Sequence, residues 1–212
     1  MGKYKMIFSA GLVISFLGSL PPGLLNIAVL QVSDEKGFVP ALSYAAGATL
    51  AEMTTVRIVL SGMKWFNSRR RFFSVLEWLT AFVLVLFAGV CFLAAWSMQD
   101  LAKIIPQSFL PPFLTGLLFS LLNPVHFPFW LGWSGFVFSK GSLKRDTQHY
   151  NWFIAGIGLG AMGGFLVYIT GGAYLFDIIH QYQYILNGVF GIILLLAAVL
   201  HIRRMVKIPL YI

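Results

Sequence analysis

The chain has 212 residues, of which 58% are hydrophobic and 10% charged, and its formal net charge is +8. Soluble domains carry about 25% charged residues, so this composition excludes a soluble protein and indicates an integral membrane protein. The single cysteine, Cys91, lies in an apolar run, which excludes an internal disulfide, a Cys-x-x-Cys relay and a thiolate metal cluster.

Six predicted spans fit the hydrophobic pattern, at about 6–32, 38–62, 72–97, 109–138, 151–176 and 182–203. Each reaches the ~20 residues needed to cross a bilayer. Six spans put the N-terminus, the loops after spans two and four, and the C-terminus on one side. That side carries Lys3, Lys5, Lys64, Arg69, Arg70, Arg71, Lys140, Lys144, Arg145, Arg203, Arg204 and Lys207, whereas the other carries Lys36 and Lys103. The asymmetry predicts that both termini are cytoplasmic, and it explains the basic balance without nucleic acid.

In the first span, Gly18-Ser19-Leu20-Pro21-Pro22-Gly23 must interrupt the hydrogen-bond ladder. In lipid the freed carbonyls have to face protein, water or a ligand. In the second span, Glu52 sits near the middle, where an acid costs on the order of 2.5–3.5 kcal/mol. A carboxyl that gains and loses a proton there can couple transport to protons; a structural acid bonded to Thr49 or a neighbouring helix is the alternative. Arg57 lies towards the cytoplasmic end of the same span and Glu77 at similar depth in the third. Together they form a structural ion pair or a gate; unpaired, Arg57 could attract a substrate carboxylate or snorkel to the interface.

The fourth span breaks at Ser120-Leu121-Leu122-Asn123-Pro124-Val125-His126, with Ser120-Leu121 aligned to Ser19-Leu20. Interrupted helices at matching places in two halves point to a midplane site, and kinked packing is the alternative. Pro22, Gly23, Asn26, Asn123, Pro124 and His126 are therefore the candidate substrate-binding residues. The half-helix starting near Gly23 presents free N–H groups suited to a carboxylate. His126 is a second proton carrier or a structural histidine. His149, His180 and His201 fall at membrane edges.

The fifth span repeats part of the second. Shifted by 109, Ala46-Gly47, Leu50 and Met53 fall on Ala155-Gly156, Leu159 and Met162, and Glu52 falls on Ala161. Small residues recur at 47, 51 and 55 and again at 156, 160 and 164, a pattern that lets helix backbones approach closely. It predicts that spans two and five cross near a pseudo-two-fold axis. Three spans per half force the copies into opposite orientations. The expected fold is thus all-α, a single membrane domain over 1–212, built of two inverted three-helix repeats at about 6–97 and 109–204.

With these features the chain resembles the lysine exporter (LysE/RhtB) superfamily. Pro22-Gly23-Leu24 keeps two residues of that family's Pro-Gly-Pro, and Gly47 to Glu52 matches its glycine-then-acid spacing. Asn123-Pro124-Val125 keeps two residues of its Asn-Pro-Lys, and Asn187, Gly188 and Gly191 loosely match the opening of its last span. The lost proline and lysine imply a change in how the first span breaks and in substrate or coupling. The resemblance implies an exporter of amino acids or related metabolites in the bacterial inner membrane, driven by the proton motive force.

The sequence thus predicts a secondary exporter, not an enzyme, with no cofactor and no metal site. Its partners are a small-molecule substrate, protons and the lipid bilayer, and a homodimer is one open arrangement. A cation or metal exporter and a non-transporting accessory subunit are the alternatives. An intramembrane enzyme lacks a nucleophile–base pair.

Overall fold

A computed structural model describes residues 2–21, 23–68, 78, 81–82, 84–86, 88–89, 91–93, 95–96, 110–123, 125–139, 143 and 146–207. These residues are helical or in turns, with no strand among them. The helices are α1 (Gly2–Ser19), α2 (Leu24–Lys36), α3 (Phe38–Ser68), α4 (Pro112–Leu121), α5 (His126–Ser139), α6 (Thr147–Gln181) and α7 (Gln183–Lys207). Helical backbone also runs through the described residues between Trp78 and Trp96.

Each change of direction has a local cause. α1 stops at Ser19, and α2 starts after Gly23, whose extended backbone accepts the N–H groups of Asn26 and Ile27 at 3.0 and 2.9 Å. The two helices are bent by 73°. Gly37 joins α2 to α3 with a φ of 88° and a ψ of −178°, a region open almost only to glycine. α4 opens with Pro112, whose missing N–H costs nothing at that position. Asn123 then turns the chain: its Oδ1 accepts the Val125 N–H at 3.2 Å, and its carbonyl accepts the His126 N–H at 3.2 Å.

Of the described helices, one stretch, Thr147–Gly171 of α6, is long and apolar enough to cross a bilayer alone; α1 and α2 qualify together as one bent span. Large apolar side chains stand exposed along the helices, among them Leu17, Ile58 and Leu159 at 56–59%. Apolar surface on that scale suits contact with lipid.

The chain divides into two compact units. One comprises Met1–Gly62 with Ile105–Asp177, the other Met63–Ile104 with Ile178–Ile212. In the second unit Gly191 of α7 lies against the Phe92 ring, and Asn187 is buried.

The first unit is assembled through two close helix crossings. A methyl group added at Gly11 would lie 2.4 Å from the Phe153 carbonyl oxygen, and one at Gly156 would lie 2.1 Å from that of Phe8. α1 and α6 therefore touch backbone to backbone. In the same way a methyl at Gly47 would meet the Phe113 carbonyl oxygen at 2.0 Å, and one at Gly116 that of Tyr44 at 2.1 Å. α3 and α4 are thus joined by the same device. In all four contacts the glycine meets the carbonyl three residues before the partner's glycine.

These partners differ from the crossing that the small-residue pattern predicts. Gly47 faces α4, and Gly156, Gly160 and Gly164 face Phe8, Leu12 and Ser19 of α1. Spans two and five meet elsewhere, where Gly158 takes the Met53 sulfur. A small-xxx-small stripe records that some backbone approaches closely, not which one. Ser15 and Ser120 each lie four residues past their crossing glycine.

Beside the crossings, Ile7, Val56, Val59, Trp130, Phe153 and Ile157 pack into a buried cluster from α1, α3, α5 and α6. In a bilayer such packing is held by dispersion and small-residue contact rather than by expulsion of water.

Candidate functional site

Glu52 lies five residues past the Gly47 crossing and is 8% exposed. Trp130 Nε1 donates to its Oε1 at 3.1 Å, and Ser15 Oγ donates to the same oxygen at 3.4 Å. Three helices converge there: α3 supplies the acid, α5 the indole and α1 the hydroxyl. Trp130 is fully buried and is fixed edge-on against Phe129 and Phe153, with ring centroids at 5.1 and 6.2 Å. The indole N–H is a donor only, so it supports the carboxylate without competing for its proton. Neither Trp130 nor Ser15 is legible as a site residue from sequence. They stand 78 and 37 residues from Glu52, in runs that read as ordinary apolar span.

The break after α1 is closed by side chains. Asn26 is 5% exposed, and its Nδ2 donates to the carbonyls of Ser19 and Pro21 at 2.7 and 2.8 Å. Tyr168 of α6 donates its hydroxyl to the Leu20 carbonyl at 2.5 Å. Three successive freed carbonyls therefore have protein donors, and Asn26 serves the backbone of its own break. Gly23 is exposed at the start of α2. At the second break Asn123 makes the turn described above, and His126 Nδ1 lies 3.4 Å from Ser120 Oγ. Pro22 and Pro124, both expected at the site, lie outside the described residues.

Arg57 donates from Nη1 to Asn151 Oδ1 at 2.9 Å, with its guanidinium carbon 5.9 Å from the centre of the Tyr150 ring. Glu77, expected as its partner, lies outside the described residues. Arg57 thus connects α3 to the start of α6. Close by in sequence, Asp146 caps α6, accepting the His149 backbone N–H at 2.9 Å and pairing with the His149 ring. The backbone bond first, and the ring contact second, hold the Asp146 carboxyl below the ordinary carboxylate range. No group of three or more His, Cys, Asp or Glu side chains that could hold a metal occurs among the described residues.

The chain around this buried acid matches the family model described as LysE type translocator over residues 16–204. The chain belongs to the LysE type translocator family. Across 189 residues it is 25% identical to a Bacillus subtilis (strain 168) protein named "Putative amino acid efflux protein YcgF", covering 88% of each chain. No solved structure matches the chain significantly. As a LysE type translocator it belongs to a family of membrane transporters rather than enzymes. The family match takes in Glu52, Trp130 and both breaks, and leaves Ile7, Phe8 and Gly11 before its first residue.

Proposed function

We propose that this protein is a secondary exporter of amino acids or related small metabolites, coupled to protons through Glu52. The observation that carries the reading is a buried carboxylate held among helices by an indole and a hydroxyl. Its support comes from two sides. The family consists of translocators, and the relative in Bacillus subtilis is named for amino acid efflux. The reciprocal glycine crossings are what two inverted copies would give if each copy's first span packed on the other copy's second. We read the chain as one domain of six spans, with both termini on the cytoplasmic side of the inner membrane. Alternating access would proceed by rocking of the two repeats about a midplane site. The breaks at Gly23 and Asn123 border that site, and Arg57 with Asn151 serves as a latch at its cytoplasmic end.

The test is flux. The purified protein is reconstituted in liposomes loaded with a pool of amino acids, a pH gradient is imposed, and mass spectrometry identifies the solutes that move. Selective, gradient-dependent movement is expected, and Glu52→Gln, which keeps shape and one oxygen acceptor, should lose the gradient dependence. Gradient-dependent export by Glu52→Gln at the wild-type rate rules out the coupling role.

A further inference from the structure

Thr49 differs from the other described threonines inside helices. Thr54, Thr55, Thr115 and Thr170 each donate to the carbonyl four residues earlier, at 2.7–3.2 Å. Thr49 is 7% exposed, and its Oγ1 has no hydrogen-bond partner among the described residues. A buried hydroxyl without a partner is costly, and a helical threonine has an easy remedy in its own backbone. Thr49 does not use it. It stands three residues before Glu52, on the same face of α3, with Cβ atoms about 5–6 Å apart by helix geometry.

Glu52 has a matching open position. Both of its hydrogen bonds fall on Oε1, and Oε2 accepts none from the described residues. Among the described residues, the groups that hydrogen-bond the acid are Ser15 from α1 and Trp130 from α5; from α6, Gly158 meets the adjacent Met53. None of these is charged. The indole cannot leave Oε1 for another role, because it is a donor held by its ring packing. Two acceptor oxygens one turn apart on α3, Glu52 Oε2 and Thr49 Oγ1, are therefore left for a ligand. An ammonium group has three N–H donors and no acceptor, which complements such a pair. A carboxylate would be repelled by the same acid.

We propose that Glu52 Oε2 and Thr49 Oγ1 form the subsite for the ammonium group of the transported molecule, and that proton and ammonium occupy the Glu52 carboxylate in turn. The inference rests on the exporter reading and deepens it: the substrate class is a primary amine carried as its cation. One protonated carboxyl and one ammonium ion become a carboxylate–ammonium pair and one released proton, so charge and atoms balance. Exchange follows because a single oxygen cannot hold both.

The test is chemical protection of Glu52 in the purified full-length protein. N,N′-Dicyclohexylcarbodiimide adds to protonated carboxyls in apolar surroundings, and mass spectrometry of the Glu52 peptide reports the adduct. A pool of the standard L-amino acids should block labelling, and the same pool acetylated on every amine, the lysine side chain included, should not. Thermal unfolding in detergent reports whether Thr49→Val keeps its fold, and its protection is read relative to its own labelling without competitor. Its half-protecting concentration should rise about tenfold or more, and Thr49→Ser should restore it. Equal protection by both pools, or no protection by either, overturns the ammonium subsite while leaving the proton role intact. Unchanged protection in Thr49→Val removes Thr49 from it. A Glu52 that never reacts in wild type overturns the proton role and the subsite with it.

Discussion

The two glycine crossings of the first unit share one geometry and differ in what stands beside them. At the α3–α4 crossing, the residue five past Gly47 is Glu52; at the α1–α6 crossing, the residue five past Gly156 is Ala161, fully buried. The serines follow the same division. Ser15, four past Gly11, donates to Glu52, whereas Ser120, four past Gly116, lies against His126 in its own broken span. Backbone approach is thus common to both crossings, and the acid belongs to one. A scaffold that needs glycine in both places and a carboxylate in only one separates packing from chemistry.

The largest effects should come from breaking the shared geometry. Gly47→Ala and Gly156→Ala each place a methyl group about 2 Å from a backbone oxygen, which no rotamer change relieves. Overpacking of this kind costs about 1–3 kcal/mol, and occasionally more. Thermal unfolding in detergent should show comparable losses for the two variants, with Gly23→Ala, which meets nothing within 4 Å, close to wild type. A loss at one crossing alone would mean that the two are not equivalent.

Where the sequence was legible depends on whether the signal is local. The helical class and the family follow from composition and from short motifs around Gly47, Glu52 and Asn123, all readable along one strand of text. The acid was legible because a carboxylate near the middle of an apolar span is conspicuous. Its supports were not: a tryptophan among aromatics and a serine in a span carry no sign of a distant partner. Asn26 was legible as a polar residue beside a break, but not as the group that closes it. An amide a few residues past a proline pair is within reach of the carbonyls that the prolines free, and that is the signal that could have assigned it.

The two breaks extend the comparison at smaller magnitude. The break after α1 depends on a side chain at a distance, since Asn26 holds two carbonyls and Tyr168 a third; among the described residues the break after α4 is turned locally, by Asn123, with Ser120 and His126 in contact across it. Asn26→Leu should therefore destabilise by about 1–3 kcal/mol, with each hydrogen bond worth about 0.6–2 kcal/mol in a membrane protein. Tyr168→Phe, which frees one carbonyl, should lose about half as much. Denaturation of both variants in detergent measures this, and a Tyr168→Phe variant as stable as wild type would mean that the Leu20 carbonyl finds another donor.

The smallest effect belongs to the start of α6, outside the membrane core. Asp146 is bonded to the His149 backbone and ring, and its carboxyl is held below the ordinary range. A carboxylate with a depressed folded value stabilises the fold fully above its unfolded value near 4, and that contribution is lost as the pH falls through the folded value. Asn at this position can still cap the helix but brings no charge to its N-terminus. The Tm of Asp146→Asn should thus lie slightly below wild type near neutral pH, and the gap should close as the pH falls through the folded value of the Asp146 carboxyl. Gly156 lies ten residues into the same helix, so the capped end sets the register with which α6 enters its crossing with α1. A gap that persists unchanged in acid would show that the aspartate acts there by shape rather than charge.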